Sequence, residues 1–372
     1  MPLRVALVSH SADLDGAEQC LLDLALWMLQ QEGKFAPLVI VPGSGRLPDR
    51  LRNLGVDVIR LDYRSALLSE AGSFRALFAK LFSQRKPDVV YSNSSVMVDS
   101  ALAAGELGIS HVWHVHEDLK SFVECMGLTN ASGMMNAIAS TEGVVISPTS
   151  TITAGLRSLG VKLVVTVPNG VSSMPVIPKP EARDMLGINQ DVLAILQVGV
   201  LEPRKNHELA IQTLQRLSLD TCRVCLCIAG DGDPEYEAAM RCLAGRLGVN
   251  GQIVWLGWMP DVTVAFSAAD VLLHPSKSEA CPRSILEAFS ALVPVVTTAW
   301  RGVMDVVEHG KTGLISRYEA EELANWIRQL HTIPELRAGV TRAAKQQYDS
   351  MHTREHFCEA IARVLVGAYH AH

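Results

Sequence analysis

Short apolar runs alternate with helical segments along this chain, and the alternation is carried through twice. Residues 4–9, 37–41, 56–61, 87–91, 111–117, 144–147 and 163–167 read as strands, short stretches in which Val, Leu and Ile predominate. Between them, 20–28, 47–54 and 73–85 carry apolar residues at helical spacing. Strands separated by helices call for crossover connections, hence a parallel sheet wrapped by helices with its ligands outside the C-terminal strand ends. The pattern restarts at 192–199 and continues through 223–229, 253–255, 271–273 and 293–297, with helices at 321–330 and beyond Pro334. The expected fold is therefore α/β, two doubly wound Rossmann-like domains.

A chain of 372 residues exceeds one ordinary core, which agrees with two domains. The break falls where periodicity is lost, in the proline-rich stretch 172–180 (SSMPVIPKP). The expected division is 1–172, a linker at 173–190, and 191–372, with the last helix free to pack back on the first domain. Apolar residues make up 48% and charged residues 19%, as in globular proteins. A net charge of −6 gives no support for nucleic-acid binding. Residues 3–8 read as a strand rather than as the apolar segment of a leader, so a cytoplasmic location is expected. Eight cysteines are scattered. Cys222 and Cys225 have a C-x-x-C spacing with no second pair, and strand alternation puts Cys225 and Cys227 on one face as reduced core residues.

Chemistry concentrates in 270–298, ADVLLHPSKSEACPRSILEAFSALVPVVTT. A strand at 271–273 breaks into a polar turn, and Pro282 stands where a helix begins. Ile285, Leu286, Phe289 and Leu292 recur at helical spacing, so one helix face is buried. Free N–H groups and a partial positive charge at a helix N-terminus suit a diphosphate. Glu287 lies roughly 7–8 Å further along the axis, at about 1.5 Å per residue, which is the reach from a diphosphate to a ribose. Glu279, in the loop, would face the group beyond the diphosphate. A capped surface helix with a solvated glutamate fits the spacing equally well.

Two glutamates with seven residues between them, Glu279 after Pro275-Ser276 and Glu287 opening EAFSALVPVVTT, resemble the signature of the family 4 retaining glycosyltransferases. The similarity continues through Gly302, Asp305 and the turn from Glu308 to Ile315. Gly16-Ala17-Glu18 resembles the family's Gly-Gly-Ala-Glu after the first strand, and Gly230-x-Gly232 its turn beneath the nucleotide. Three departures stand out. Glu279-Ala280-Cys281-Pro282 replaces the usual Glu-Gly-Phe-Gly, Asp305 stands where Glu is common, and Val200 replaces the Arg of Val-Gly-Arg-Leu.

The resemblance implies the GT-B architecture, two such domains facing across a cleft. It also implies transfer of a sugar from a nucleotide diphosphate donor to a glycan, a lipid-linked molecule or a small molecule. Donor contacts are expected from Gly16, Arg204, Lys205, Gly230, Gly232, Arg283, Ser284 and Glu287. Glu279, Lys205 and His116 are the candidate catalytic residues, His116-Glu117 matching the family's His-Asp pair. Adjacent cations at Arg204 and Lys205 can neutralise a leaving diphosphate, so no divalent metal is expected. His114 and His116 share one side of a strand, but no third metal ligand is evident.

Two other readings stay open: a nucleotide-sugar 2-epimerase and a catalytically silent nucleotide-sugar binding protein. Helix 73–85 carries the stripe Phe74, Leu77, Phe78, Leu81 and Phe82, with Arg75, Lys80, Arg85 and Lys86 alongside. Such a helix can lie in a lipid interface, a peripheral contact at the inner membrane surface, or can pack on its own sheet.

Overall fold

The computed structural model describes residues 1–63, 74–120, 123, 131–219 and 223–371. They form two units, Met1–Gly170 with Arg354–His372, and Val171–Thr353. The first unit holds seven parallel strands: β1 Leu3–Ser9, β2 Phe35–Pro42, β3 Asp57–Leu61, β4 Val89–Asn93, β5 Ser110–His114, β6 Val144–Ser147 and β7 Val164–Thr166. Their order is β3-β2-β1-β4-β5-β6-β7. The second unit has six: β8 Leu193–Val198, β9 Val224–Ala229, β10 Ile253–Gly257, β11 Val271–His274, β12 Val295–Thr298 and β13 Leu314–Ser316. These run β10-β9-β8-β11-β12-β13, again all parallel. Both sheets are doubly wound, as the alternation of strands and helices implies.

Burial on both faces follows from the pleat. Val5 and Leu7 of β1 pack with the helix Gly16–Gln30, while Ala6 and Val8 point the other way, towards Phe78 and Phe82. In β8, Ala194 and Leu196 join Ile285 and Phe289, and Leu193 and Ile195 join Leu209 and Leu214. Cys225 and Cys227 lie in one cluster as free thiols, as strand alternation implies; Cys222 is outside the described residues. The C-terminal helix Arg354–His370 belongs to the first unit, where it buries Phe357, Ile361 and Leu365.

Several details differ from the reading of the sequence. The stretch 173–190 contains the helix Lys179–Leu186, closed by Gly187 at φ 66° and tied down by buried Arg183, whose Nη2 donates to Asp270 at 2.7 Å. Helix Arg283–Ser290 buries Ile285, Leu286 and Phe289 completely, worth about 1.5–3 kcal/mol each. Leu292 does not join them: it is 55% exposed, at φ 58°. The chain has to reverse between Ser290 and β12, and Leu292 takes the left-handed conformation that such a turn needs.

The candidate membrane helix is Arg75–Arg85, and Ser73 falls outside the described residues. Phe78, Leu81 and Phe82 are buried against β1, β2 and β4, with the ring of Tyr63 tilted against Phe78, centroids 5.1 Å apart. Three of the five residues of its apolar stripe thus face the core. No helix among the described residues is long and apolar enough to cross a membrane.

Candidate functional site

In a doubly wound sheet the strand order reverses once, and the loops that leave the two strands at that point splay apart to make a crevice. In the second unit the reversal lies between β8 and β11. The loop after β8 carries Glu202, Arg204 and Lys205, and the loop after β11 carries Glu279. The two loops meet. Lys205 Nζ donates to Glu279 Oε1 at 2.6 Å, and Arg204 Nη1 lies 3.2 Å from Oε2. Arg204 is held in turn by Glu202 at 2.6 Å and by the Ser278 carbonyl at 3.1 Å. Main-chain bonds lock the loops: Lys277 N–H donates to the Arg204 carbonyl at 2.9 Å, and Asn206 Nδ2 to the Pro275 carbonyl at 3.2 Å.

The Glu279 side chain is only 8% exposed. Burial alone would raise its pKa, but Lys205 and Arg204 outweigh that and hold the carboxyl well below the usual carboxylate range. At neutral pH this is a buried anion with two cations on it.

Glu287 sits on the helix that follows, beside Arg283 with Nε to Oε1 at 3.9 Å. Both side chains are largely covered, 16% and 13% exposed. Pro282 is the N-cap, so the N–H groups of Arg283 and Ser284 open the helix. His274, the last residue of β11, places its Nε2 3.6 Å from Glu279 Oε1. Burial pushes its imidazole down to about 4, so the ring is neutral.

Gly230 and Gly232 are glycines for a reason visible in the backbone. A Cβ on Gly230 would stand 2.0 Å from the Gly199 carbonyl oxygen, and one on Gly232 2.4 Å from that of Leu201. They let the turn after β9 lie directly on the loop that carries Arg204 and Lys205. Their contribution is to the shape of that loop.

The first unit has its reversal between β1 and β4. There His10 Nδ1 lies 2.9 Å from Glu18 Oε1, a carboxylate that is wholly buried in the first turn of helix Gly16–Gln30 and also accepts from Ser9 Oγ at 3.2 Å. Burial works against charge on His10, yet Glu18 lifts its imidazole to about 9. Gly16 opens this helix, and the Ala17 carbonyl accepts from Asn93 Nδ2 at 3.0 Å.

His116 lies two residues past the end of β5, its Nε2 2.8 Å from Asn93 Oδ1 and its ring 3.8 Å from that of His114. His114 bonds Tyr91 through Nδ1, and burial pushes it down to about 3. Glu117 accepts from Ser94 Oγ at 2.7 Å and from the Ser95 N–H at 3.3 Å. Reasoning from sequence singled out His116 and Glu117 and passed over their neighbourhood's His10 and Asn93. Their signal was position alone, since both stand at the ends of the two strands flanking the reversal. In the second unit it missed Glu202 and His274 as partners of Arg204 and Glu279.

Two doubly wound α/β units are the fold of the GT-B class, and the second carries at its sheet reversal a buried carboxylate clamped by two cations. Residues 178–347 match the family described as "Glycosyl transferases group 1", and residues 15–170 the "Glycosyl transferase 4-like domain". The chain belongs to the family 4 glycosyltransferases.

Among curated proteins it is 30% identical over 172 residues to the lipopolysaccharide glucosyltransferase WaaG of Escherichia coli (strain K12), covering 45% of each. It is 29% identical over 198 residues to the D-inositol 3-phosphate glycosyltransferase of Kribbella flavida, 50% of this chain and 46% of that protein. The chain thus spans about half the length of the curated relatives it matches. Among solved structures, Anabaena HepE in complex with UDP-glucose superposes with a TM-score of 0.86 at 23% identity, over 98% of this chain and 99% of that one. The crystal structure of WaaG gives 0.79 at 20% identity, over 98% and 100%.

Proposed function

We propose that the protein is a retaining glycosyltransferase that takes a sugar from a nucleotide diphosphate donor and passes it to a glycan or lipid-linked acceptor. The observation that carries this is the Lys205–Glu279–Arg204 cluster at the sheet reversal of the second unit, its Glu279 in the loop that leads into the helix opened by Arg283 and Ser284. In this reading the second unit binds the donor. Lys205, Arg204 and the helix N-terminus take up the diphosphate, whose charge grows as the glycosidic bond breaks. Glu287 accepts the ribose hydroxyls, and Glu279 faces the sugar. In the first unit the cluster around His116 binds a sugar hydroxyl, with Asn93 fixing the imidazole.

No protein nucleophile is required. The acceptor attacks the face from which the diphosphate leaves, and a phosphate oxygen takes its proton. Positioning and charge stabilisation are then the protein's whole contribution. In this reading Lys205, once turned from Glu279, supplies the neutralising charge with Arg204 and the helix N-terminus, so a divalent metal is not needed and EDTA should leave the rate unchanged.

The test is incubation with UDP, GDP, ADP and TDP sugars without acceptor. Slow release of nucleoside diphosphate supports the transferase. An isomerised nucleotide sugar would mean a 2-epimerase, and binding without turnover a silent binding protein.

A further inference from the structure

One buried group beside the donor cluster has no part in the mechanism above. His274 is 3% exposed, its carbonyl is fixed by Thr297 Oγ1 at 2.9 Å, and neither ring nitrogen makes a hydrogen bond to another residue. Buried polar atoms without partners are costly and uncommon. The ring is nevertheless aimed at the cluster: Nε2 stands 3.6 Å from Glu279 Oε1, just beyond hydrogen-bond length. That same oxygen is the one Lys205 occupies at 2.6 Å. If Lys205 turns to a diphosphate, a carboxylate that is 8% exposed loses its shortest contact.

We propose that His274 is a positioning residue for Glu279, its Nε2–H taking over Glu279 Oε1 when Lys205 leaves for the donor's diphosphate. The inference rests on the donor-site reading given above. A neutral donor suits this task better than a cation. It keeps Glu279 ionised and aimed while adding no positive charge to compete for the phosphates. The groups facing the ring are Glu279, from its own loop, and Lys205 and Arg204, from the loop after β8. Burial and the two cations keep the ring neutral against the pull of Glu279. Withdrawing Lys205 removes one of the groups that oppose its protonation, while burial, the largest of them, stays and keeps the ring a neutral donor.

The test uses the unliganded full chain, with Lys205→Met standing in for the withdrawn lysine. Ring proton–nitrogen NMR spectra identify His274 by the signals lost in His274→Gln. In Lys205→Met the Nε2–H should move downfield into the hydrogen-bonded range, and the ring pKa should rise by at least one unit. Identical His274 signals in Lys205→Met and wild type would overturn the proposal. Where Lys205→Met fails to fold, Lys205→Gln serves for the same comparison.

With donor present, His274→Leu should lower kcat about tenfold and leave KM for the donor unchanged, while His274→Gln, which keeps an N–H at the same reach, stays within about threefold of wild type. Equal losses in both variants, or loss in neither, would count against it. The spectra need no donor, so the two readings fail separately. Absent turnover with a responsive His274 condemns the donor reading alone, and turnover with a silent His274 condemns this proposal alone.

Discussion

Replacing Glu279 with Gln should tighten binding of the free nucleoside diphosphate while slowing transfer. In the unliganded protein Glu279 occupies both cations proposed to receive the diphosphate, Lys205 at 2.6 Å and Arg204 at 3.2 Å. Arg204 is also held by Glu202 and the Ser278 carbonyl, so Lys205 is the group that has to move. Binding therefore breaks one charge-assisted contact, a kind worth about 1.5–3 kcal/mol. Part of that is recovered from the phosphate, and an amide still accepts a weaker bond from Lys205.

The net gain for Glu279→Gln is about 1–2 kcal/mol, roughly 5- to 30-fold in affinity. Transfer should suffer in the opposite direction, because a neutral amide answers poorly to positive charge developing at the sugar carbon. Calorimetric titration of the nucleoside diphosphate into both proteins, with steady-state rates beside it, measures each effect. Weaker binding by Glu279→Gln, comparable to what Glu287→Gln causes, would refute the reasoning.

Glu287→Gln removes contacts made before and during transfer, so it should raise the donor KM about tenfold with a smaller change in kcat, read from initial rates. His10 has its pKa raised to about 9, so its pair with Glu18 stabilises the fold fully below about pH 6.5 and is lost as pH rises through 9. The loss should approach about 3 kcal/mol, at about 1.4 kcal/mol per pKa unit, and urea unfolding at pH 6.5 and 10 should show His10→Gln without that slope. Gly230→Ala drives a Cβ to 2.0 Å from the Gly199 oxygen and should cost about 3 kcal/mol, lowering Tm by roughly 6–12 °C. Gly245→Ala, with nothing within 4 Å, should leave Tm level or higher in the same thermal melts.

The two sheets were legible because apolar runs in β1, β8, β9 and β11 are continuous and their helices keep a regular stripe. Strand β13 was read as a turn, since three residues carry too little pattern to separate a strand from a loop. Helices Val98–Glu106 and Ser150–Ser158 escaped notice because small residues, Ala and Ser, fill much of both. Leu292 was misplaced because spacing cannot show where a helix stops when the residue that stops it is not Gly or Pro.

Glu279, Glu287, Arg204 and Lys205 could be named from their order along the chain. That Lys205 and Glu279 touch could not, because 74 positions separate them and only the sheet order brings their loops together. Burial is equally invisible: nothing in the residue string marks Glu18 as wholly enclosed or the His274 ring as hydrogen-bonded to no other residue.

Retention of configuration at the transferred carbon is the most direct consequence of a mechanism in which the acceptor enters on the face that the diphosphate leaves. Rapid proton NMR of the first sugar released from an α-linked nucleotide sugar, recorded before mutarotation, measures it. The α-anomer, released at a rate that falls in Glu279→Gln, is the predicted result. A β-anomer, an epimerised nucleotide sugar, or a donor left intact would contradict it.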